Sequence, residues 1–146
     1  MTKKIYLIGS LRNKEVPNVA KVLREAGFDV FDDWYAAGPE ADDYWRDYEV
    51  SRGHSYSEAL AGYAANHVFE FDKKHLISSD IVLLLMPCGR SGHIELGWAI
   101  GQGAKGYILF PETPERYDVM YGFTDGVFCG DNGLNELIEK LKDDQS

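Results

Sequence analysis

Only two cysteines occur among the 146 residues, Cys88 and Cys129. They are too few for a disulfide framework and lack the paired spacing of a zinc site. Basic residues are scarce too: 15 Lys and Arg against 24 Asp and Glu give a formal charge of −9. That is the wrong sign for gripping a nucleic-acid backbone, although a mononucleotide needs only a few local donors. The four histidines, at 54, 67, 75 and 93, stand in neither H-x-E nor H-E-x-x-H spacing, so no metal and no cofactor are expected. No apolar run approaches the ~20 residues of a membrane span. Met1-Thr2-Lys3-Lys4 passes straight into Ile5-Tyr6-Leu7-Ile8, too little for a signal peptide. A soluble cytoplasmic protein with no nucleic-acid or membrane partner is expected. Repeats and linkers are absent as well, and the length suits one domain spanning 1–146.

What is present is an alternation. Lys4–Ile8, Phe28–Phe31 and Ile81–Met86 read as strands, followed by Tyr107–Phe110 and a short fifth at Val127–Cys129. Between them lie helical patterns: one opened by Pro17 and stopped by Gly27, one from about Ser55 to Ser79, one around Glu95, and one over Leu134–Leu141. Trp34 to Trp45 reads as a loop rich in aromatics and acids, within an insert around 34–66. Ile81–Met86 is apolar throughout, as in a strand covered on both faces. The expected fold is α/β: a Rossmann-like (flavodoxin-like) parallel sheet of about five strands with helices on both faces. Ligands of such sheets gather at the carboxyl ends of the strands. Gly9–Arg12, Asp32–Trp34 and Pro87–Glu95 all leave those ends.

The stretch Cys88-Gly89-Arg90-Ser91-Gly92-His93-Ile94-Glu95-Leu96 sets a carboxylate among apolar neighbours, one turn after a glycine-rich loop. A capping box would need Ser or Thr three residues before Glu95; Gly92 stands there, and Ser91 is out of register. Favourable placement against the helix dipole remains one structural reading, and a narrow solvent-facing stripe another. Gly89 and Gly92 also let backbone approach a ligand, and a helix amino end offers N–H groups to anions. A nucleophilic Glu95 must ionise. From a reference pKa of about 4.3, burial raising it by roughly two units still leaves most of it charged at pH 7. Tyr6 on the first strand could donate the hydrogen bond that holds that state, or be a core tyrosine with any partner.

Gly9-Ser10-Leu11-Arg12 supplies a turn and donors suited to a phosphate or sugar hydroxyl. It is neither G-x-G-x-x-G nor a Walker sequence, and an ordinary strand-to-helix turn reads equally well. Asp33 and Trp34 head an aromatic stretch that could stack on a planar base. Asp72 reads as a solvated helical position and Asp80 as a polar strand terminator. A receiver-domain reading of Asp32-Asp33 fails, because the acidic pair follows the second strand and not the first.

On these residues the chain resembles the nucleoside 2-deoxyribosyltransferase superfamily, including relatives that hydrolyse 2′-deoxynucleoside 5′-monophosphates. The likeness spans most of the chain except roughly 34–66. Lys4 to Arg12 looks like the family's opening strand and G-S-x-R loop. Asp72 and Asp80 look like its D-x7-D, and Glu95-Leu96-Gly97-Trp98-Ala99 matches its E-L-G-x-A. Tyr121 to Gly126 looks like a late loop following residues that complete a neighbouring subunit's site. Tyr117 falls near the position of a second-subunit serine. Gly89 departs from the pattern: transferases tend to carry aspartate there and the phosphohydrolases serine.

The resemblance implies cleavage or transfer at the N-glycosidic bond of a (2′-deoxy)nucleoside or its 5′-monophosphate. Glu95 would attack, Tyr6 would orient it and Asp72 would assist the departing base. Gly9, Ser10, Arg12, Asp33, Trp34, Gly89, Ser91, Gly92, Tyr117 and Asp125 would bind substrate. It also implies a homodimer or higher homo-oligomer. Two alternatives stay open: a Toll/interleukin-receptor-like NAD glycohydrolase, and a non-catalytic nucleotide-sensing domain.

Overall fold

The computed structural model describes residues 2–145. Strand β1 (Lys4–Ile8) runs into helix α1 (Val16–Glu25), then β2 (Asp29–Phe31), a 3-10 helix (Asp33–Ala37), α2 (Ala41–Ser51), α3 (Tyr56–Leu60) and α4 (Tyr63–Ile77). Next come β3 (Ile81–Leu85), α5 (Arg90–Gly101), β4 (Lys105–Phe110), a second 3-10 helix (Val119–Phe123), β5 (Gly126–Cys129) and α6 (Gly133–Gln145). The five strands form one parallel sheet in the order β2-β1-β3-β4-β5.

Alternation along the strands sorts the core onto two faces. Ile5 and Leu7 of β1, with Leu83 and Leu85 of β3, pack against α1 and α6 through Val16, Val19, Leu23, Leu137 and Leu141. Tyr6 and Ile8, with Val82 and Leu84, face α4 and α5 through Leu76, Leu96 and Ala99. In α1 the buried positions Val16, Val19, Ala20 and Leu23 recur at helical spacing, with Pro17 at the opening turn. Burying Leu23 alone contributes roughly 1.5–3 kcal/mol. Gly27, at φ +102°, turns the chain from α1 toward β2.

Two sequence expectations are corrected. The stretch from Trp34 to Trp45 is helical on either side of a turn at residues 38–40, in the first 3-10 helix and the start of α2. Local polar contacts explain it: Asp42 and Asp43 sit in the first turn of α2, Arg46 pairs with Asp43, and the Tyr44 hydroxyl donates to Glu40. The single helix expected from Ser55 to Ser79 is two. Ser55 and Glu58 form a complete capping box on α3, and Gly62 then becomes the N-cap of α4.

Strand order places the reversal between β1 and β3. Their carboxyl ends feed helices on opposite faces, which opens a crevice between the β1–α1 and β3–α5 connections.

Candidate functional site

Tyr6, at the centre of β1, is 1% exposed and turned toward α4 and α5. Its hydroxyl donates to Glu95 Oε2 at 2.8 Å. Phe31 from β2 leans on the Tyr6 ring at 5.0 Å, and His75 from α4 stacks on Phe31 at 4.0 Å and 9°. The phenol is therefore held from behind. Glu95 lies in the second turn of α5, beyond the reach of a first-turn capping role. Its neighbours Ile94 and Trp98 face outward, while Leu96 and Ala99 enter the core. Glu95 thus points between the helix and the sheet.

Gly92 makes that placement possible. A Cβ there would overlap Cys88 Sγ and stand 2.9 Å from Ile8 Cγ2 and 3.0 Å from Leu84 Cδ1. Only a residue without a side chain lets the first turn of α5 lie this close to the ends of β1 and β3.

Burial pushes the Glu95 carboxyl up to about 7, and the negative Asp72 adds to the rise, while the Tyr6 hydrogen bond opposes it by favouring the ionised form. Burial and the Glu95 charge drive Tyr6 upward, so it stays a phenol and a donor. Burial also raises Asp72. These three groups form one electrostatic unit. Cys88 borders it: burial and then Glu95 raise the thiol, opposed by the Gly89 and Gly92 N–H groups at its sulfur.

A cleft of about 560 Å³ opens beside the unit, walled by Ser10, Arg12 and Asn13 on one side and Pro87, Cys88 and Gly89 on the other. Ser10 Oγ accepts from the Arg12 N–H at 3.1 Å. The Arg12 guanidinium reaches Asp43 at 3.3 Å and the Pro39 carbonyl at 3.4 Å. A Cβ at Gly9 would crowd Val16 at 3.0 Å and meet the Trp34 ring at 3.4 Å, and the Trp34 indole N–H donates to the Leu7 carbonyl at 2.8 Å. Trp34 is therefore fixed at the carboxyl end of β1. Asp33 is exposed at the start of the first 3-10 helix, and Ser91 is exposed in the first turn of α5.

Two expected residues are placed elsewhere. Asp125 directly precedes β5, so in a parallel sheet it lies at the amino end, away from the crevice. There its carboxylate accepts from the Gly106 N–H at 2.9 Å and pairs with Lys105. Tyr117 lies on the connection leaving β4 and is 81% exposed, without a bond to the Tyr6–Glu95 pair. Asp80, read as a strand terminator, does accept from the Lys4 N–H across the sheet at 3.0 Å.

Sequence reasoning passed over His93, Tyr121, Phe31 and His75. His93 Nδ1 donates to the Gly89 carbonyl at 2.8 Å, and its Nε2 meets the Tyr121 hydroxyl at 2.9 Å. This ties the second 3-10 helix to the first turn of α5. Its position four residues after Gly89 was the available signal. Phe31 and His75 are distant in sequence, and nothing local pairs them. Among the described residues, no group of His, Cys, Asp and Glu could hold a metal ion, and no helix is long and apolar enough to cross a membrane.

No protein-family profile matches the chain, and no curated protein sequence is similar to it. Solved structures do match. The CMP N-glycosidase of Clostridium botulinum superposes with a TM-score of 0.56, covering 96% of this chain and 99% of its own, at 17% identity. A 2-deoxyribosyltransferase from Bacillus psychrosaccharolyticus gives 0.57, with 92% and 90% covered at 22% identity. A response regulator of Thermotoga maritima, in complex with Mg²⁺-BeF, gives 0.52, with 97% and 98% covered at 20% identity. The chain has the flavodoxin-like fold. On this flavodoxin-like sheet Asp32 is already occupied by Arg24, at 2.6 Å, so the likeness to the response regulator is one of architecture.

Proposed function

We propose that the chain breaks, or transfers across, the N-glycosidic bond of a nucleoside or nucleotide, with Glu95 as nucleophile. The observation that carries this reading is the 2.8 Å bond from the Tyr6 phenol to a half-buried Glu95 carboxylate. Such a carboxylate is useful where positive charge develops at a sugar carbon. The two sugar-transforming enzymes that share the fold support the same reading.

In the first step a Glu95 oxygen bonds to C1′ as the C1′–N bond breaks and its electron pair leaves with the base. Asp72, its carboxyl raised by burial, delivers a proton to the departing base. Tyr6 holds the other Glu95 oxygen and fixes its direction. In the second step water, or another base, attacks C1′, its proton passes to the Asp72 carboxylate, and the C1′–Oε bond breaks to release the Glu95 carboxylate. A hydrolase and a transferase differ only in that acceptor.

The reading extends to self-association, with residues 1–146 acting as one domain. Ile94, Trp98, Met120 and Phe123 are exposed beside the α5 face, and apolar surface of this kind favours a partner. Sedimentation at micromolar concentration tests this: a monomer throughout would remove the shared-site version.

The deciding experiment offers the protein a panel of nucleosides, 5′-monophosphates and NAD, with chromatography for free base, with and without an acceptor base. Wild type is expected to release base, and Glu95→Ala to lose on the order of 10⁴-fold or more of that activity while remaining folded. Equal turnover by both proteins would sink the reading.

A further inference from the structure

We propose that the crevice between the β1–α1 and β3–α5 connections binds a diphosphate group, making the substrate a nucleoside 5′-diphosphate or a diphosphate-linked dinucleotide. This rests on the glycosidic reading for one point alone, the direction in which the sugar lies. Tyr6, Glu95 and Asp72 are not among the cleft walls. If the anomeric carbon sits at Glu95, the whole 560 Å³ is left for whatever the far end of the sugar carries. The cleft is open to solvent, and a single phosphoryl group, with four heavy atoms, leaves most of its wall untouched.

The walls have charge to match a larger anion. In a chain of formal charge −9, Arg12 and Lys14 both line this cleft, and Arg90 opens α5 on its other side. The one carboxylate in the wall, Glu15, is engaged by the Asn18 side-chain amide at 3.3 Å. Arg12 keeps part of its guanidinium on Asp43 and Pro39, whereas Lys14 has no partner among the described residues. The Asn13 Nδ2 donor is shielded from solvent and unpaired, while its Oδ1 accepts from the Glu15 N–H. A buried donor without an acceptor is a standing cost, and turning the Asn13 amide outward into the cleft it lines would relieve that cost on an anion oxygen.

Position 89 supplies the room. A Cβ built on Gly89 meets no atom within 4 Å, so the wall is open where a side chain would otherwise project. One phosphate suits Arg12 and the first-turn N–H groups of Arg90 and Ser91, whereas the Gly89 and Gly92 N–H groups are turned to Cys88. A second phosphate is what Lys14 and Asn13 are placed to take.

Two measurements on the full chain test this. In calorimetry, inorganic pyrophosphate is expected to bind at least about tenfold more tightly than inorganic phosphate, and Lys14→Ala to erase that gap while leaving phosphate affinity unchanged. In turnover, 5′-diphosphates are expected to exceed 5′-monophosphates in kcat/KM by a similar factor, with Lys14→Ala cutting only the former. Parallel arms with ADP and NAD separate a free diphosphate from a bridging one. Equal affinity for phosphate and pyrophosphate, or a Lys14→Ala loss shared by every substrate, overturns the proposal. Tight, Lys14-dependent pyrophosphate binding without release of any base keeps the diphosphate site and removes the glycosidic reading instead.

Discussion

The hydroxyl of Tyr6 and the carboxylate of Glu95 meet at 2.8 Å, while the charge of Asp72 bears on both. Tyr6 pulls the Glu95 proton off; burial and Asp72 push it on. The balance leaves Glu95 at about 7, half ionised near neutrality.

Tyr6→Phe removes the one influence that lowers the Glu95 pKa. The acid limb of the kcat/KM profile, which the proposed mechanism assigns to ionisation of Glu95, should move upward in pH. At pH 7 the loss should be ~10- to 100-fold, the range of a hydrogen bond to a charged group. A limb left in place would show that the phenol does not tune Glu95.

Asp72→Asn removes the group assigned to protonate the departing base, a carboxyl whose affinity for a proton burial raises. Ordinary nucleobases should then leave ~10²- to 10⁴-fold more slowly. A sugar carrying a leaving group that needs no proton should be cleaved almost normally. Equal losses on both substrates would exclude an acid role for Asp72.

Stability carries the same signature. The folded-state pKa of Glu95 lies above its unfolded value, so as pH rises the unfolded chain gives up this proton first. Stability conferred by the neutral carboxyl is complete below about pH 4.5 and is lost as pH climbs to about 7. Glu95→Gln should therefore be more stable than wild type at pH 8, by on the order of 3 kcal/mol. The two proteins should converge below pH 4.5. Urea titrations at pH 4 and pH 8 measure the difference directly.

Gly92→Ala should cost about 1–3 kcal/mol by overpacking, since its methyl meets Cys88, Ile8 and Leu84. Activity should fall with it as the first turn of α5 is displaced. Gly89→Ala, with open space around it, should leave Tm within a degree or two of wild type. Equal thermal shifts for the two would mean that helix propensity, and not proximity, governs these positions.

The sequence made the sheet and the pair legible where the physics was local or strongly patterned. Ile81 to Leu85 is apolar because both faces are covered, and it forms a wholly buried strand. Glu95 stood out because no capping role fitted its position. The region after Asp33 was illegible for the opposite reason. The capping box of Ser55 and Glu58 and the ion pairs of α2 hold short helices without a strong apolar stripe. The end of the sheet at which Asp125 lies was illegible because motif resemblance gives order along the chain, whereas strand direction decides which end a residue occupies. The stack of His75 on Phe31 needs tertiary structure to exist at all.

Tyr6 is made early in synthesis and Glu95 only well past the middle of the chain, so the donor waits for its acceptor. β1 also lies between β2 and β3, and its pairing with Ile81–Leu84 holds the Tyr6 phenol at a fixed place beside the strand that leads into α5. A truncated or half-assembled copy therefore lacks a directed carboxylate altogether. For a chain proposed to cut nucleotides, that keeps unfinished molecules harmless to the pool around them.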